Sequence, residues 1–506
     1  MTARASLAAA LALACSACAA GPVAPAADGR DGAALDAPPP LDSAAPPPAF
    51  ALHAPTPAPG APWPLVLSAA EPLTATVTLR VGDADHAVRL YRGRGSVTVR
   101  AGAEGPVAIA VDGAPLAALE VVARPRRPLS GALAGADLAW DAERDVYLEA
   151  SATVPAGATL VIAAGTRVFV AAGANLDVRG ALRSEGSAER PVLFAPTGEA
   201  WGGVALDGGP SALAWTWFVG GGADAGRRFG HSASQPVVWV SGALGMVGGG
   251  VLDSPGKAFG ARGASVTVEG VTVARCDTGG ELDTTALEAT GLHVSEIPDA
   301  DGRAEDDDND GIYLVAAWPP AGDAARAVLR DAVFAVGEDD AIDHNGVALR
   351  VERAWIAGFA HEGVAASSGG RVEIVDSVIA GCGQGVEAGY GAPEVVVERS
   401  VVHGCGVGLR FGDSYTWEAA GSLAAAGVVL HGNGRDVWNF ARGRGGPREG
   451  AIAVACSVVD DPAWVGVAGN VAGPPGGAWA EGCASGPALD AGVCGLERAG
   501  PVCAGP

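Results

Sequence analysis

The most regular pattern in the chain is a repeat of short valine-rich segments, each followed by a small polar turn and then by glycine and an aliphatic residue. Four copies place Val333, Trp355, Val378 and Val401 at equivalent positions, spaced 22, 23 and 23 residues apart. β-Branched residues at this period, with no helical pattern, favour a solenoid of parallel strands. Leucine-rich repeats have a similar period, but their leucine–asparagine frame is missing. The pattern therefore predicts a parallel β-helix over residues 128–455.

Before the repeat, apolar and polar residues alternate in shorter segments. The alternation is seen in residues 75–79, 87–90, 96–99 and 107–111. Turn residues separate these segments at regular spacing, as in antiparallel sheets. The sequence therefore predicts a small β-sandwich-like domain over residues 63–127.

Two further segments follow neither pattern. Residues 19–62 are rich in alanine and proline, and they predict a semi-extended linker. Residues 456–506 form a tail that contains Cys456, Cys483, Cys494 and Cys503. In an exported protein, four clustered cysteines predict two disulfides, for which three connectivities are possible.

The first residues predict export. Arg4 gives a short basic start, and residues 7–14 form an apolar run too short to span a bilayer. Small residues then precede Cys15 and Cys18, so residues 1–18 resemble the signal peptide of a bacterial lipoprotein. The resemblance implies a lipid on Cys15 or Cys18 and a place in the bacterial cell envelope, at the outer membrane or cell surface. An ordinary cleaved secretion signal is the alternative.

Composition narrows the possible partners. A hydrophobic fraction of 49% with 18% charged residues is too apolar for a disordered chain. The net charge is −24, and Lys257 is the only lysine, so a nucleic-acid groove is not expected. The same charge disfavours acidic polymers unless a divalent cation reverses it locally.

The opening of the repeat carries a family resemblance. Residues 154–162, Gly180-Ala181-Leu182, residues 191–194 and Trp201-Gly202-Gly203-Val204 resemble the first coils of right-handed parallel β-helix proteins. These proteins form the pectin-lyase-like superfamily, and the resemblance covers about 300 residues. It implies an all-β fold but no particular activity, because the fold carries lyases, hydrolases and adhesins alike. Within the repeat, Cys276, Cys382 and Cys405 align, which predicts a buried stack of small apolar side chains.

The repeat also aligns acidic residues. When successive coils are superposed on the glycine–aliphatic step, Asp310, Asp340 and Glu362 occupy one ladder. Neighbouring coils lie ~4.8 Å apart, so three carboxylates in a ladder repel one another strongly. Such a ladder is explained if the carboxylates bind a cation, or if they share a proton for acid–base catalysis.

One segment favours the cation. Asp306, Asp308 and Asp310, followed by Gly311, match the start of a calcium-binding loop. Ala317 stands where an EF-hand has its glutamate, so the prediction is a simpler calcium-binding turn. The alternative is an acidic loop that is merely solvated.

A second resemblance favours catalysis. Asn309-Asp310-Gly311, Asp339-Asp340, His361-Glu362-Gly363 and Arg410-Phe411-Gly412 follow the order of motifs in polygalacturonase-type glycoside hydrolases. The resemblance implies that Asp310, Asp339 and Asp340 are the acid and base, that His361 supports them and that Arg410 binds a substrate carboxylate. Glu362 replaces the expected glycine, and the expected lysine is missing.

Other interpretations stay open. A polysaccharide lyase could use calcium to neutralise a uronate and Arg410 as the base. Aromatic side chains near the same edge could stack on sugars; they are Tyr313, Tyr390, Tyr415, Trp417 and Trp438. We therefore expect a monomeric, surface-anchored β-helix protein that binds or processes polysaccharide, with Ca²⁺ as the one cofactor considered. The alternative is a calcium-stabilised structural or adhesin-type surface lipoprotein without catalysis.

Overall fold

The computed structural model describes residues 49–298, 308–316, 326–412, 418–440 and 450–473. Within these residues the chain is almost entirely strand, with short 3₁₀ helices at Gly135–Leu138, Ala225–Arg227 and Val467–Gly469. No helix in the described part of the chain is long and apolar enough to cross a membrane.

The first described region is a pair of antiparallel sheets that share one core. One sheet has the strands Phe50–His53, Pro62–Ala69 and Arg94–Arg100. The other has the strands Ala75–Val81, Ala84–Leu90, Gly105–Val111 and Ala114–Val121. The alternation of the sequence explains the packing, because every second side chain, including Val77, Leu79 and Leu90, points into the shared core.

The second region is a right-handed parallel β-helix with three faces, which we call sheets I, II and III. Every strand pairs in parallel with the equivalent strand of the next coil. The strands of sheet I are Arg167–Val170, Val192–Pro196, Thr272–Cys276, His293–Ser295, Val333–Gly337, Trp355–Phe359, Val378–Ala380, Val401–His403, Val429–His431, Val458–Val459 and Val471–Ala472. The strands of sheet II are Leu176–Val178, Val204–Leu206, Val238–Val240, Phe259–Arg262, Gly280–Asp283, Tyr313–Val315, Asp343–Asn345, Glu362–Ser368, Gln384–Gly391, Val407–Phe411 and Arg435–Asn439.

Sheet III completes the coil. Its strands are Ala139–Trp140, Thr159–Ala163, Ala181–Glu185, Ser265–Glu269, Ala286–Thr290, Arg326–Arg330, Ala348–Glu352, Arg371–Val375, Glu394–Glu398, Ser422–Ala426 and Ile452–Ala455. Four longer strands turn a corner and serve two faces: Arg126–Ala132, Asp145–Val154, Ser211–Val219 and Ala243–Ser254.

The register confirms the repeat predicted from the sequence. Val333 lies opposite Trp355, Trp355 opposite Val378, and Val378 opposite Val401. The period of 22 to 23 residues is therefore one turn of the β-helix. The interior is filled by aliphatic side chains and, near the start, by stacked Phe194, Trp201 and Phe218.

The predicted boundaries need correction at three places. The strand Phe50–His53 and the start of Pro62–Ala69 lie in the segment predicted as linker, residues 19–62. Phe50–His53 pairs with residues 66–69, and Pro62 pairs with Arg100. The β-helix begins before residue 128, with Arg126–Ala132. It also continues past residue 455, because Val458–Val459 pairs with Val429–His431 in sheet I. Residues 1–18 and most of the tail lie outside the described residues.

The cysteines divide into two groups. Cys276, Cys382 and Cys405 are buried free thiols at equivalent corners of their coils, as the alignment predicts. Burial raises the pKa of the Cys276 thiol to about 12, so it stays protonated. Cys456 is not among the free thiols of the described region, and its expected partners Cys483, Cys494 and Cys503 lie outside it. The pairing of these four cysteines stays a prediction.

The sandwich packs on sheet I and leaves sheet II uncovered by it. Tyr91 enters an apolar patch of sheet I that includes Trp355, Val378 and Val401. The Nε2–H group of His293 donates a hydrogen bond of 2.9 Å to the carbonyl oxygen of Tyr91. The functional face must therefore be sought on sheet II or sheet III.

Candidate functional site

Sheet II and the turns that enter it from sheet I gather the acidic side chains of the repeat. One outward row of sheet II runs through residues of very different chemistry from coil to coil. In order along the solenoid these are Trp239, Gly260, Glu281, Tyr313, Asp343, Ala365, Glu387, Arg410 and Trp438. Outward positions of a β-helix have no packing role in the core, so polar residues here need another explanation.

The structure places the predicted acid ladder on one edge of this row. The amide of Gly311 donates to the carbonyl of Asp340 at 2.7 Å, and the amide of Ala341 donates to the carbonyl of Glu362 at 2.9 Å. These bonds align Asp310, Asp340 and Glu362 on three successive coils. Asp310 and Asp340 are 2% and 7% exposed, so the ladder is buried as well as acidic.

Burial and like charge together keep two of these acids protonated. Loss of water raises the pKa of Asp310 well above its usual value, and the nearby Asp343, Asp339 and Asp308 raise it further. Loss of water also raises the pKa of Asp340, with added repulsion from Glu362. Asp310 Oδ1 is buried and has no hydrogen-bond partner among the described residues. The ladder can therefore hold protons at pH values where ordinary aspartates are ionised.

Asp339 has a different environment from its neighbour. Its Oδ1 lies 2.9 Å from Nδ1 of His361, which is more than one-third exposed. Ligand atoms of Asp339, Asp340 and His361 all lie within 4.8 Å of one another. The carboxyl group of Asp339 is therefore in contact with an imidazole, whereas that of Asp340 accepts a hydrogen bond from the amide of Glu362.

On the next coils the acidic row meets Arg410. Its Nη1 lies 3.0 Å from Glu387 Oε2 and donates to Gln384 Oε1 at 2.7 Å. Gln384 in turn donates to Glu362, and Glu362 Oε1 is 3.9 Å from Arg410. Arg410 is 8% exposed and lies beside the rings of Trp438 and Phe440. It is therefore held by protein carboxylates, which leaves it poorly placed to bind a substrate carboxylate.

Aromatic side chains lie beside the acids. Asn345 donates to the hydroxyl of Tyr313 at 3.2 Å and accepts from the hydroxyl of Tyr390 at 2.8 Å. Ser368 also donates to Asn345, at 2.6 Å. Burial and the neighbouring Asp343 raise the pKa of Tyr313, so its phenol stays neutral. This cluster gives the face hydroxyl groups and ring edges of the kind that contact sugars.

The predicted calcium ligands do not all fall within the described residues. Asp306 lies outside them. Asp308 Oδ1 lies 2.8 Å from Nδ1 of His231, and the buried Asp310 belongs to the ladder. A calcium turn formed by Asp306, Asp308 and Asp310 stays a prediction, as do the lipid sites Cys15 and Cys18.

The sequence analysis did not use several residues of this face. Asp343 and Glu387 share the outward row, and Gln384 connects Glu362 with Arg410. Strand alternation could have found Asp343, since it lies on the next coil from Tyr313 at the same outward position. The partnership of Lys257 with Glu281 joins residues on successive coils, and only the register reveals it.

The fold and this face together define an acid-lined protein with a parallel β-helix fold. No protein-family model and no curated protein matches the chain. Among solved structures it is similar to the periplasmic alginate epimerase AlgG, at 12% identity, with 62% of this chain and 76% of that chain covered and a TM-score of 0.31.

Two further structures show the same range of similarity. The catalytic unit of a GH87 α-1,3-glucanase from Streptomyces thermodiastaticus matches at 12% identity over 79% of this chain and 86% of that one, with a TM-score of 0.31. The Streptococcus pneumoniae surface protein and adhesin PfbA matches at 11% identity over 57% of this chain and 91% of that one, with a TM-score of 0.25. At such TM-scores the similarities do not bear on activity, which must be argued from the residues of the face.

Proposed function

We propose that this chain binds polysaccharide along sheet II and hydrolyses glycosidic bonds at the acid ladder. The observation that carries the proposal is a pair of adjacent, buried carboxyl groups: Asp340, whose pKa is raised, and Asp339, whose Oδ1 lies 2.9 Å from His361 Nδ1. Glycoside hydrolysis needs one carboxyl group that donates a proton and one carboxylate that attacks or activates water. The described face offers both within a few ångströms.

In this proposal each acid has its own role. Asp340 protonates the glycosidic oxygen as the bond breaks, because its raised pKa keeps the proton available. Asp339 attacks the anomeric carbon, and His361 orients it through a contact of 2.9 Å. Asp340 then removes a proton from the water that releases the sugar. Oxygens of the two aspartates lie within 4.8 Å of each other, which is shorter than the ~6.5–9.5 Å separation of inverting enzymes.

Asp310, Glu362 and Arg410 act through these two residues. Asp310 repels negative charge on Asp340, which supports its raised pKa. Glu362 does the same from the other side, and its amide donates to Asp340 Oδ1 at 2.7 Å. Arg410 holds Glu387 and Gln384 in place beside Glu362. The three are positioning residues.

The test is a turnover assay on the purified full chain with a panel of neutral and acidic polysaccharides. We expect new reducing ends without new unsaturated-uronate absorbance. Asp340→Asn should reduce the rate by about 10²–10⁴-fold, the range for loss of a general acid. The matched control is Asp376→Asn, an aspartate of a turn leading into sheet I that is bonded to Arg399 and should leave the rate unchanged.

Other results separate the alternatives. Absorbance that is lost with chelator would indicate a lyase. Silence across the panel, in a protein that melts cooperatively, would contradict the enzymatic proposal and favour the second candidate.

That second candidate is a cation-stabilised surface protein, and one observation favours it. Asp339, Asp340 and His361 present oxygen and nitrogen ligands close enough for one divalent cation. If a cation is their main use, the melting temperature should rise with added Ca²⁺ and fall with chelator. A hydrolase of the kind proposed should show neither change.

We further propose that the chain is exported to the bacterial cell envelope and anchored by lipid at Cys15 or Cys18. The basic start, the short apolar run and the small residues before both cysteines support this. A mass spectrum of the N-terminal peptide from envelope fractions would show the added acyl mass, and its absence would leave a cleaved signal.

A further inference from the structure

The charge balance of sheet II bears on the kind of polysaccharide it can hold. The acidic side chains of the face and its entering turns include Asp177, Glu281, Asp283, Asp308, Asp310, Glu338, Asp339, Asp340, Asp343, Glu362, Glu387 and Asp436. A polymer with a carboxylate on every sugar would meet like charge along the whole face. It could bind only if basic side chains were free to pair with it.

Lys257 and Arg410, which lie among these acids, each have a carboxylate partner, whereas the guanidinium of Arg435 lies over the ring of Trp438. Lys257 is fully buried, lies 2.5 Å from Glu281 Oε2 and donates to the carbonyl of Phe229 at 2.6 Å. Arg410 is paired with Glu387 at 3.0 Å. Two histidines of the face also lie against carboxylates: His361 against Asp339, and His231 against Asp308.

A cleft of about 310 Å³ lies at the other end of the same face. Trp239 belongs to the outward row, two coils before Glu281. Its indole N–H donates to Asp207 Oδ1 at 2.9 Å, so the ring is held in one orientation. Ser241 donates to the same carboxylate oxygen at 3.0 Å. A fixed, half-exposed indole beside a carboxylate offers one apolar surface and one hydrogen-bond acceptor, which suits a sugar ring and its hydroxyl groups.

One wall of the cleft is a segment that crosses from sheet I to sheet II, residues 220–236, which we call the strap. Phe229 of the strap packs edge-on against Trp239, with ring centroids 4.7 Å apart. Glu281 accepts a hydrogen bond from the amide of His231, and the ammonium group of Lys257 donates one to the carbonyl of Phe229. The strap is therefore fixed to the β-helix on both sides of Gly230. A Cβ atom on Gly230 would lie 1.8 Å from Glu281, so only glycine allows the approach.

On the floor and rim of the cleft, too, polar and charged side chains are paired with one another. Gln235 donates to Asn175 Oδ1 at 2.8 Å, and Asn175 donates to Asp224 at 2.8 Å, which makes a closed polar network. Arg227 of the rim is paired with Asp177. Arg228 is exposed beside the cleft, where the acidic Asp207 and Asp224 outweigh its single charge.

From these observations we infer that the face takes an uncharged polysaccharide and that one of its sugar rings is anchored on Trp239 in the strap-walled cleft. The inference rests on the proposed function, since it names the substrate class and a binding subsite for it. Trp239 lies three coils before Tyr313, roughly 14 Å along the solenoid axis at ~4.8 Å a coil. A chain lying along the row can therefore reach both the cleft and the acid ladder.

The experiment measures binding of the full chain in the Asp340→Asn background, which slows cleavage during the measurement. Affinity electrophoresis would compare neutral polysaccharides with polyuronates, each with Ca²⁺ and with chelator. We expect retardation by a neutral polysaccharide in both conditions and none by polyuronates. Trp239→Ala should weaken the binding about thirtyfold, the usual size for loss of a central aromatic contact.

Control variants separate the subsite from general effects. Trp464→Ala removes a half-buried tryptophan beyond the last coils and should leave binding unchanged. Trp239→Phe keeps an aromatic face and should restore most of the affinity. Arg228→Gln should change binding less than twofold, because an uncharged sugar has no carboxylate for it to pair with. Cooperative melting shows that each variant is folded.

Any of four results would overturn the inference. Preference for polyuronates, with or without Ca²⁺, or loss of binding in Arg228→Gln, would show that the face recognises acidic sugars, while the proposed function would stand. Unchanged binding in Trp239→Ala would show that the cleft is not a subsite. Binding to neither class of polysaccharide would overturn the proposed function together with this inference.

Discussion

Two clusters of charged residues lie on neighbouring faces of the same β-helix and are built in opposite ways. On sheet I, Arg275 lies between Asp253 on one coil and Glu296 on the next, at 2.5 and 2.8 Å. On sheet II, Asp310, Asp340 and Glu362 occupy three successive coils with no base between them. Alternating charge cancels in the first cluster, whereas like charge accumulates in the second.

The two clusters also differ in their use. Arg275 reaches the carbonyl and hydroxyl oxygens of Ser96 in the sandwich, and Thr98 donates to Asp253 at 2.5 Å. The alternating cluster therefore fastens one domain to another. The acid ladder joins no domains in the described part of the chain, and like charge together with burial raises the pKa values of Asp310 and Asp340. A buried ladder of like charge weakens the fold, which is the physical reason to assign it a chemical role.

The largest expected effect comes from removing the base of the alternating cluster. Arg275→Met leaves Asp253 and Glu296 without their common partner, so it turns this cluster into an acidic one. We expect a loss of about 3 kcal/mol in the free energy of unfolding, measured by denaturant titration. Arg399→Met removes a more exposed arginine paired with Asp376 and should cost about 0–1 kcal/mol. Equal losses in the two variants would contradict the distinction.

A smaller effect is expected from pH on the sandwich side. Burial, aided by nearby Arg94, lowers the pKa of His293 to about 3 from its usual ~6.5. The folded state keeps this imidazole neutral, whereas the unfolded chain binds a proton below pH ~6.5, so stability falls as the pH is lowered from there towards 3. His293→Gln should flatten this dependence by about 2 kcal/mol between pH 7 and pH 4. The same slope in variant and parent would show that His293 does not contribute.

The smallest effect is expected on the acid ladder, with the opposite sign. Asp340 keeps its proton in the folded state but loses it in the unfolded chain above pH ~4, so stability falls as the pH rises from there through the raised pKa. Asp340→Asn keeps the oxygen that accepts from Glu362 and removes the charge. We expect a gain of about 1 kcal/mol at pH 7 that disappears near pH 4.

The control for this comparison is Asp376→Asn. Asp376 accepts two hydrogen bonds from Arg399, at 2.8 and 3.0 Å, so loss of its charge should not stabilise the protein. A destabilised Asp340→Asn at pH 7 would mean that the ladder is favourable to the fold and would remove the main argument for a site.

Much of this architecture is readable from the chain. The spacing of Val333, Trp355, Val378 and Val401 sets the length of a coil, and the register confirms it. Once the coil length is known, Asp310, Asp340 and Glu362 must fall on one ladder, because parallel coils repeat every ~4.8 Å. Local pattern is sufficient here, since each coil contacts only its neighbours.

Contacts between residues far apart in the chain cannot be predicted from the sequence. Trp239, Phe229 and Asp207 lie on different coils or on the strap, and no motif links them. The ion pair between Arg410 and Glu387 could not be predicted from the sequence either. It changes the role that the family resemblance implies for Arg410, because the guanidinium already has a carboxylate partner. The prolines around Phe50–His53 predict an extended linker. Only the pairing of this segment with Pro62–Ala69 defines it as a strand.

The sequence by itself determined the period, the parallel fold and the row of acids, because these depend on residues that recur at fixed spacing. Tertiary structure decided which charges are cancelled. Whether a carboxylate meets Arg275, Lys257 or another carboxylate depends on the register of coils and on how the sandwich and the strap pack against them. Those contacts bring together residues far apart in the chain, and the free energy of each depends on burial and distance that no local pattern contains.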